Sequence, residues 1–266
     1  MAGAGTVVVT GATGGIGAAI CRRLSADGYG IVAQYRDRSE RAASLAAELV
    51  AAGGVCVPIA ADLGTDEGVT GFGDAVESAL ADASTAPLVG LVNGAARMLG
   101  PSFHGATPAL FDAYFALNTK APFFLTQRLV PLMRDGGSIV NISSAGAHFS
   151  SPGDIVYAMS KAALESMTSN LAEALAEHGV RVNSVVPGFT DNGHPAFSTP
   201  AVRDYMSSFA VLGGVADPAA VAEAVVFLIS GRSSRTTGSI VDVSGGSTLG
   251  ARGRRAGSVS ELIGPH

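Results

Sequence analysis

Short β-branched runs alternate along this chain with Ala-rich segments of helix length. Apolar strands are expected at 6–10, 30–35, 55–60, 88–93, 137–143, 180–186 and 239–243, and helices at about 15–28, 38–52, 66–83, 108–133, 154–178 and 217–230. The strand segments are apolar on both faces, as in Ile139-Val140-Asn141-Ile142 and from Val180 to Val186. That pattern marks a parallel sheet covered by helices on both sides. Strand–helix alternation at this spacing predicts βαβ units and a doubly wound α/β fold with a seven-stranded parallel sheet. Thr107-Pro108 and Asp217-Pro218 each read as a helix N-cap followed by an N1 proline.

Two stretches depart from the alternation. Residues 187–213 are rich in Pro, Gly, Phe and His and read as a loop with a short helix after Thr199-Pro200. Residues 250–266 are rich in Gly, Arg and Ser and read either as a flexible tail or as one that packs on a neighbouring subunit with Leu262 and Ile263 as a small apolar anchor. The pattern therefore predicts one domain over 1–250 and a C-terminal tail over 251–266.

Composition narrows the class. The chain has 266 residues, 47% of them hydrophobic and only 15% charged, which suits a compact protein with a large core. Its net charge of -5 leaves no basic footprint for nucleic acid or an anionic membrane. Cys21 and Cys56 lack C-x-x-C spacing, so neither a disulfide framework nor a metal site is expected. No run approaches the roughly eighteen apolar residues that span a bilayer, and Val7 to Val9 is too short for a signal peptide. The expectation is a cytoplasmic protein.

The chemistry starts at the first strand–helix turn, T-G-A-T-G-G-I-G, with Thr10, Gly11, Gly15 and Gly17 at its informative positions. Glycines permit positive φ and close backbone approach, and a helix N-terminus offers free N–H groups to a pyrophosphate. At the tip of the second strand stand Tyr35 and Arg36, followed by Asp37 and Arg38. A carboxylate at such a tip suits the ribose 2′-OH of NAD, whereas a guanidinium suits a 2′-phosphate, so NADP(H) is favoured. Asp62, after the third strand, is placed for the adenine edge or equally for a helix start.

Only two of the seventeen basic residues are lysine, and one of them, Lys161, follows Tyr157 by four. On a helix these positions share a face. A neighbouring cation lowers a Tyr pKa from about 10 toward the range of an acid/base catalyst. Y-x-x-x-K alone is a weak pattern.

In one order and at one spacing, the glycine motif, Asp62, Asn93, Asn118, Ser144, Tyr157-x-x-x-Lys161 and Pro187-Gly188 resemble the short-chain dehydrogenase/reductases. The resemblance covers residues 6 to about 249 and is nearest to the single-domain branch that includes 3-oxoacyl-carrier-protein reductases. It implies a Rossmann fold and a catalytic tetrad of Asn118, Ser144, Tyr157 and Lys161. It also implies a cofactor site drawn from Thr10, Gly11, Thr13, Gly15, Ile16, Gly17, Tyr35, Arg36, Asp62, Leu63, Asn93, Tyr157, Lys161, Pro187, Gly188 and Thr190. Ser144 would donate to the substrate oxygen, Tyr157 would act as general acid, and Asn118 would anchor a water chain to Lys161.

Two departures accompany the resemblance. The family's second Asn after the fourth strand is Gly94 here, which puts local sheet rigidity in doubt. The family's threonine after Pro-Gly comes early, as Thr190.

Substrate contacts are expected from Met98, His148, Phe149, Phe189 and His194, a mostly apolar set. The function expected is NADPH-dependent reduction of an apolar or polyketide-type ketone, free or on a carrier protein, by a homotetramer. The alternatives are an alcohol dehydrogenase working oxidatively and a catalytically silent NADP-binding regulator.

Overall fold

The computed structural model describes residues 5–82, 85–133, 136–191, 193 and 195–249. His194 and the tail at 251–266 lie outside the described residues. Seven parallel strands form one sheet: β1 (Thr6–Val9), β2 (Gly30–Tyr35), β3 (Cys56–Ala60), β4 (Leu88–Asn93), β5 (Gly137–Ile142), β6 (Val180–Pro187) and β7 (Ile240–Val243). Their spatial order is β3-β2-β1-β4-β5-β6-β7, so the winding reverses between β1 and β4. Ligands in open α/β sheets bind at such a reversal, outside the carboxyl ends of the strands.

The connecting helices are α1 (Gly15–Ala26), α2 (Ser39–Ala51), α3 (Asp66–Ala81), α4 (Pro108–Phe115), α5 (Ala121–Leu129), α6 (Ile155–Ala174), α7 (Pro200–Ser207) and α8 (Pro218–Ile229). Alternate strand residues feed two cores. Val7, Val9, Ile31, Ala33, Val140 and Val185 pack with Ile20 and Leu24 of α1 and with Val221, Val225 and Leu228 of α8. Val8, Val32, Leu91, Ile139 and Val182 face the other way, against Phe72 and Val76 of α3 and Leu125 and Leu129 of α5. Each fully buried Val, Leu or Phe side chain contributes about 1.5–3 kcal/mol, so the two layers hold the sheet from both faces.

The helix expected over 108–133 is not continuous. Thr107 caps α4, its hydroxyl accepting from Leu110 N at 3.2 Å, and Pro108 takes the first turn as read from the sequence. Between α4 and α5 the turn at Ala116–Lys120 widens to π geometry, with Ala121 N bonded back to Ala116 O. The cause is legible at Pro122, which has no N–H to give to the carbonyl of Asn118 four residues earlier. Such widened turns are frequent at functional sites. Here it turns the Asn118 side chain fully inward. Among the described residues no helix is long and apolar enough to cross a membrane.

Candidate active site

The turn from β1 into α1 is braced from three sides. Gly11 has φ +69°, and a Cβ there would lie 2.9 Å from the Ala95 Cα, so only glycine fits without moving the neighbouring turn. Its N–H donates to Gln34 Oε1 at 2.8 Å, and Gln34 Nε2 donates to the Ala61 carbonyl at 2.8 Å. One buried glutamine thus ties the ends of β1, β2 and β3 together. A polar residue inside the apolar run Ile31-Val32-Ala33-Gln34-Tyr35 was the sequence signal for it, and it was missed.

The Thr10 side chain is engaged within the fold. Its Oγ1 accepts from Gly94 N at 3.0 Å and Ala95 N at 3.1 Å and reaches the Val92 carbonyl at 3.3 Å. Thr10 therefore braces the turn after β4. That brace, with Asn93 Nδ2 donating to Asn141 Oδ1 at 2.8 Å, supplies the rigidity that Gly94 had put in doubt.

Several features fit an anionic dinucleotide. Gly14 caps α1 with no side-chain partner, which leaves the N–H groups of the first turn, at Gly15, Ile16 and Gly17, without a capping side chain and suited to an anion. Asn93 Oδ1 is buried at the mouth of the sheet and has no hydrogen-bond partner. Pro187 ends β6 buried, and Gly188 lies against the Ser244 backbone, where a Cβ would come within 2.7 Å of the carbonyl oxygen. Thr190 is buried, and its hydroxyl donates to the Gly188 carbonyl at 3.1 Å, so its side chain shapes the Pro-Gly turn.

Beyond the β2 tip, Tyr35 is half-buried and Arg36 exposed. Arg36 is not free: its guanidinium pairs with Asp37 at 2.9 Å. A cavity of about 180 Å3 opens between α1 and α2, lined by Thr13, Arg22 and Arg41 among others, with Arg22 held by Glu48 at 2.7 Å. Arg41, one helical turn into α2, was not singled out in the sequence. Asp62 uses Oδ1 to accept from Gly64 N at 3.0 Å and so shapes the approach to α3, while the Leu63 side chain belongs to the core.

The four tetrad positions come together at the ends of β5, the π turn and α6. Lys161 is buried, and its Nζ donates to the Ile142 carbonyl at 2.7 Å. Burial brings its pKa down to about 8, and the Glu165 carboxylate one turn on holds it from falling further. Its Nζ lies 6.0 Å from the centroid of the Tyr157 ring.

The expectation that Lys161 lowers the Tyr157 pKa is not met. Burial pushes that phenol above its ordinary value, a hydrogen bond with Ser144 pulls it back in part, and Asp154 and Tyr114 nearby push it up again. Ser144 Oγ accepts from Gly146 N at 3.1 Å, which fixes the oxygen and leaves its own proton for another acceptor.

Asn118 is tied to its surroundings rather than to Lys161. Oδ1 accepts from Arg97 N at 2.8 Å, and Nδ2 donates to Arg97 O at 3.0 Å and to Ser160 Oγ at 2.9 Å. Ser160 and Arg97, neighbours of the tetrad, carried no separate signal in the sequence.

The expected substrate residues divide. Phe149 and Phe189 both meet Phe209, with centroids 5.5 Å and 5.2 Å apart, and build an aromatic wall under α7. Met98 is exposed on the opposing loop. His148 is engaged elsewhere, its Nε2 lying 3.0 Å from the Glu165 carboxylate, which also accepts from the Ser143 hydroxyl. Beneath the wall a cavity of about 510 Å3 runs between α7 and the end of β7, lined by Phe189, Met206, Leu212 and Val243 among others.

Known proteins bear on this arrangement. A family model described as enoyl-(acyl carrier protein) reductase matches residues 11–248. The crystal structure of angucycline C-6 ketoreductase LanV with bound NADP is 38% identical, covers 93% of this chain and 97% of that one, and superposes with a TM-score of 0.89. LanV has also been solved with bound NADP and rabelomycin, at 36% identity and a TM-score of 0.86, covering 93% and 97%. LugOII, a promiscuous reductase that catalyses keto-reduction at C1 during lugdunomycin biosynthesis, is 36% identical with a TM-score of 0.90, covering 93% and 99%. L-xylulose reductase of Caenorhabditis elegans is 34% identical over 245 residues, 90% of this chain and 94% of its own. A match across nearly the whole sheet, with the Ser144, Tyr157 and Lys161 side chains gathered at one strand end, makes this chain a member of the short-chain dehydrogenase/reductases.

Proposed function

We propose that the protein is an NADPH-dependent ketoreductase that converts an apolar, polyketide-type ketone to a secondary alcohol. The observation that carries this is the meeting of two hydroxyls, Ser144 and Tyr157, in front of the buried Lys161. Two hydroxyl donors aimed at one point suit an oxygen that gains negative charge, as a carbonyl oxygen does during reduction. Burial keeps the Tyr157 phenol in its protonated form, the form from which a proton donor starts, while it also weakens the acid.

The hydride would come from a reduced nicotinamide cofactor, whose pyrophosphate the β1–α1 turn would hold. The chain's own groups do the rest. Ser144, whose hydroxyl is bonded to the Tyr157 phenol, would turn its proton to the ketone oxygen and orient it, and Tyr157 would deliver a proton to the same oxygen. Lys161, largely charged below its pKa of about 8, places a positive field behind the phenol and spare donors for ribose hydroxyls. Asn118 clamps the π turn and the loop at Arg97, and its second Oδ1 lone pair is available to a water leading toward Lys161. The first turn of α1, with Asn93, Pro187, Gly188 and Thr190, would hold such a dinucleotide. Arg36, with Arg41 and Thr13, would meet a 2′-phosphate.

Relatives support the substrate class. LanV has been solved with rabelomycin and LugOII is named for a keto-reduction, and the aromatic wall of Phe149, Phe189 and Phe209 suits a ring system of that kind. The reading places the enzyme in secondary metabolism, in the cytoplasm, as one catalytic domain over 1–250 assembled into a homotetramer. The substrate is free or held on a carrier protein. The test is NADPH oxidation, followed at the nicotinamide absorbance, against a panel of polycyclic, acyl-thioester and sugar ketones. Turnover of a polycyclic ketone with NADPH supports the reading; turnover confined to sugar ketones, or to NADH, overturns it.

A further inference from the structure

The loop after β4 is held more firmly than a surface loop of its exposure requires. Three side chains reach its backbone within four residues. Asn118 takes both the N–H and the carbonyl of Arg97, at 2.8 and 3.0 Å. The Tyr114 hydroxyl donates to the Leu99 carbonyl and lies 3.4 Å from that of Met98. The Asp154 carboxylate accepts from Gly100 N. The Arg97 guanidinium lies over the Tyr114 ring, 5.4 Å from its centroid, and covers the latch from outside.

What this clamp holds is unusual. Leu99 has φ +61°, the left-handed region that a leucine adopts only when its surroundings impose it. Its side chain is 70% exposed and that of Met98 54%, so nothing in the fold's own core explains the strain. The anchoring groups belong to the catalytic region. Tyr114 is buried on α4, one turn before Asn118. Asp154 precedes α6, three residues before Tyr157, and also accepts from Ser151 Oγ at 3.3 Å, joining this loop to the one that carries Ser144 and Phe149. Both Tyr114 and Asp154 are near enough to Tyr157 to be felt by its phenol.

We propose that Tyr114 and Asp154 are positioning residues, a latch that presents Met98 and Leu99 as a rigid apolar shelf at the mouth of the site, and that this shelf selects ketones with an extended apolar ring system. The proposal rests on the ketoreductase reading for its substrate. A fixed shelf discriminates by shape, because its backbone cannot yield to a substrate that does not cover both side chains. A small ketone reacts at Ser144 and Tyr157 without reaching the shelf.

The experiment compares wild type, Tyr114→Phe and Leu99→Ala on a tetracyclic aromatic ketone and on a small diketone, with NADPH. Tyr114→Phe removes one hydroxyl and keeps the ring, and Leu99→Ala changes an exposed side chain, so both are expected to melt as wild type does. For the tetracyclic ketone both variants raise KM by roughly tenfold, the scale of one lost apolar contact in a pocket, while kcat stays within about threefold. The KM for the small diketone and for NADPH stays within about twofold of wild type. Equal losses on both ketones, or no change on either, overturn the latch. Calorimetric titration of the tetracyclic ketone into NADPH-saturated protein separates the two readings. Binding without turnover in wild type, weakened in both variants, refutes the ketoreductase reading and keeps the latch. Binding that the variants leave unchanged refutes the latch alone, and absence of wild-type binding refutes both.

Discussion

Lys161 on α6 donates its ammonium proton to the carbonyl oxygen of Ile142, the last residue of β5, at 2.7 Å. The two are joined inside the protein, where Lys161 is 2% exposed. A charge so placed loses its hydration, and the one carbonyl bond compensates only in part, which is why its pKa falls to about 8. Arginine could not serve here, since its planar fork needs more partners and stays charged at any working pH.

A pH dependence follows from that burial. Lys161 is charged below about pH 8 and neutral above it, so ketone reduction is expected to hold through neutral pH and to fall as pH rises past that value. Glu165 favours the charged form, and replacing it by Gln moves the fall to lower pH. The check is a profile of kcat/KM against pH for wild type and Glu165→Gln. An alkaline limb unmoved by the substitution would separate Lys161 from the observed titration.

Removal of the phenol tests the acid directly. Tyr157→Phe keeps the ring that packs beside Ser144 and Gly146 and removes only the proton donor. Turnover is expected to drop by at least about 10²-fold, the usual scale for a lost general acid, with NADPH affinity nearly unchanged. Stopped-flow titration of the nicotinamide signal measures the second quantity independently of the first.

The sheet, the succession of strands and helices, and the gathering of Ser144, Tyr157 and Lys161 were legible because each leaves a local mark. Buried parallel strands are apolar on both faces, and the tetrad occurs at fixed intervals along the chain. What was not legible depends on partners far apart in sequence. Gln34 spans from Gly11 to Ala61, and Tyr114 meets Leu99 only after the π turn has set the angle of α4. The sign of the Tyr157 shift was misread because spacing gives the Lys161 approach and says nothing of burial, which dominates it. On α6, Leu164 is buried and Leu171 and Leu175 pack on the second core. On α4, α5 and α6 the exposed large apolar side chains include Phe111, Phe123, Phe124 and Met159.

Cofactor choice is expected to turn on Arg36, with Asp37 as its internal competitor. The Arg36–Asp37 pair is exposed on both sides, so it is a weak contact that a 2′-phosphate can displace. Arg36→Asp puts a carboxylate where the phosphate would sit and is expected to raise KM for NADPH by at least about tenfold while improving the use of NADH. Asp37→Asn frees the guanidinium and is expected to lower KM for NADPH slightly. Steady-state kinetics with both nucleotides decide it; an unchanged NADPH/NADH ratio in Arg36→Asp shifts the role to Arg41 and Thr13 across the α1–α2 cavity.

The last expectation concerns assembly. Phe111, Phe123 and Phe124 stand 37–42% exposed on α4 and α5, and Met159 on α6 is 46% exposed, so four large apolar side chains share neighbouring helices. Phe111 also stacks on Phe115 at 4.6 Å, which stiffens that face rather than covering it. Burying what remains exposed of one such phenylalanine contributes about 1–2 kcal/mol, so a two-fold interface that uses each residue twice gains several times that amount. Light scattering at micromolar concentration is expected to give the mass of four chains. Phe124→Asp places a charge in that face and is expected to shift the mass to smaller species without lowering the melting temperature of the folded chain sharply, since the site is solvent-facing in the single chain. A wild-type mass of one chain, or a tetramer that tolerates the aspartate, would show that these helices do not form the interface.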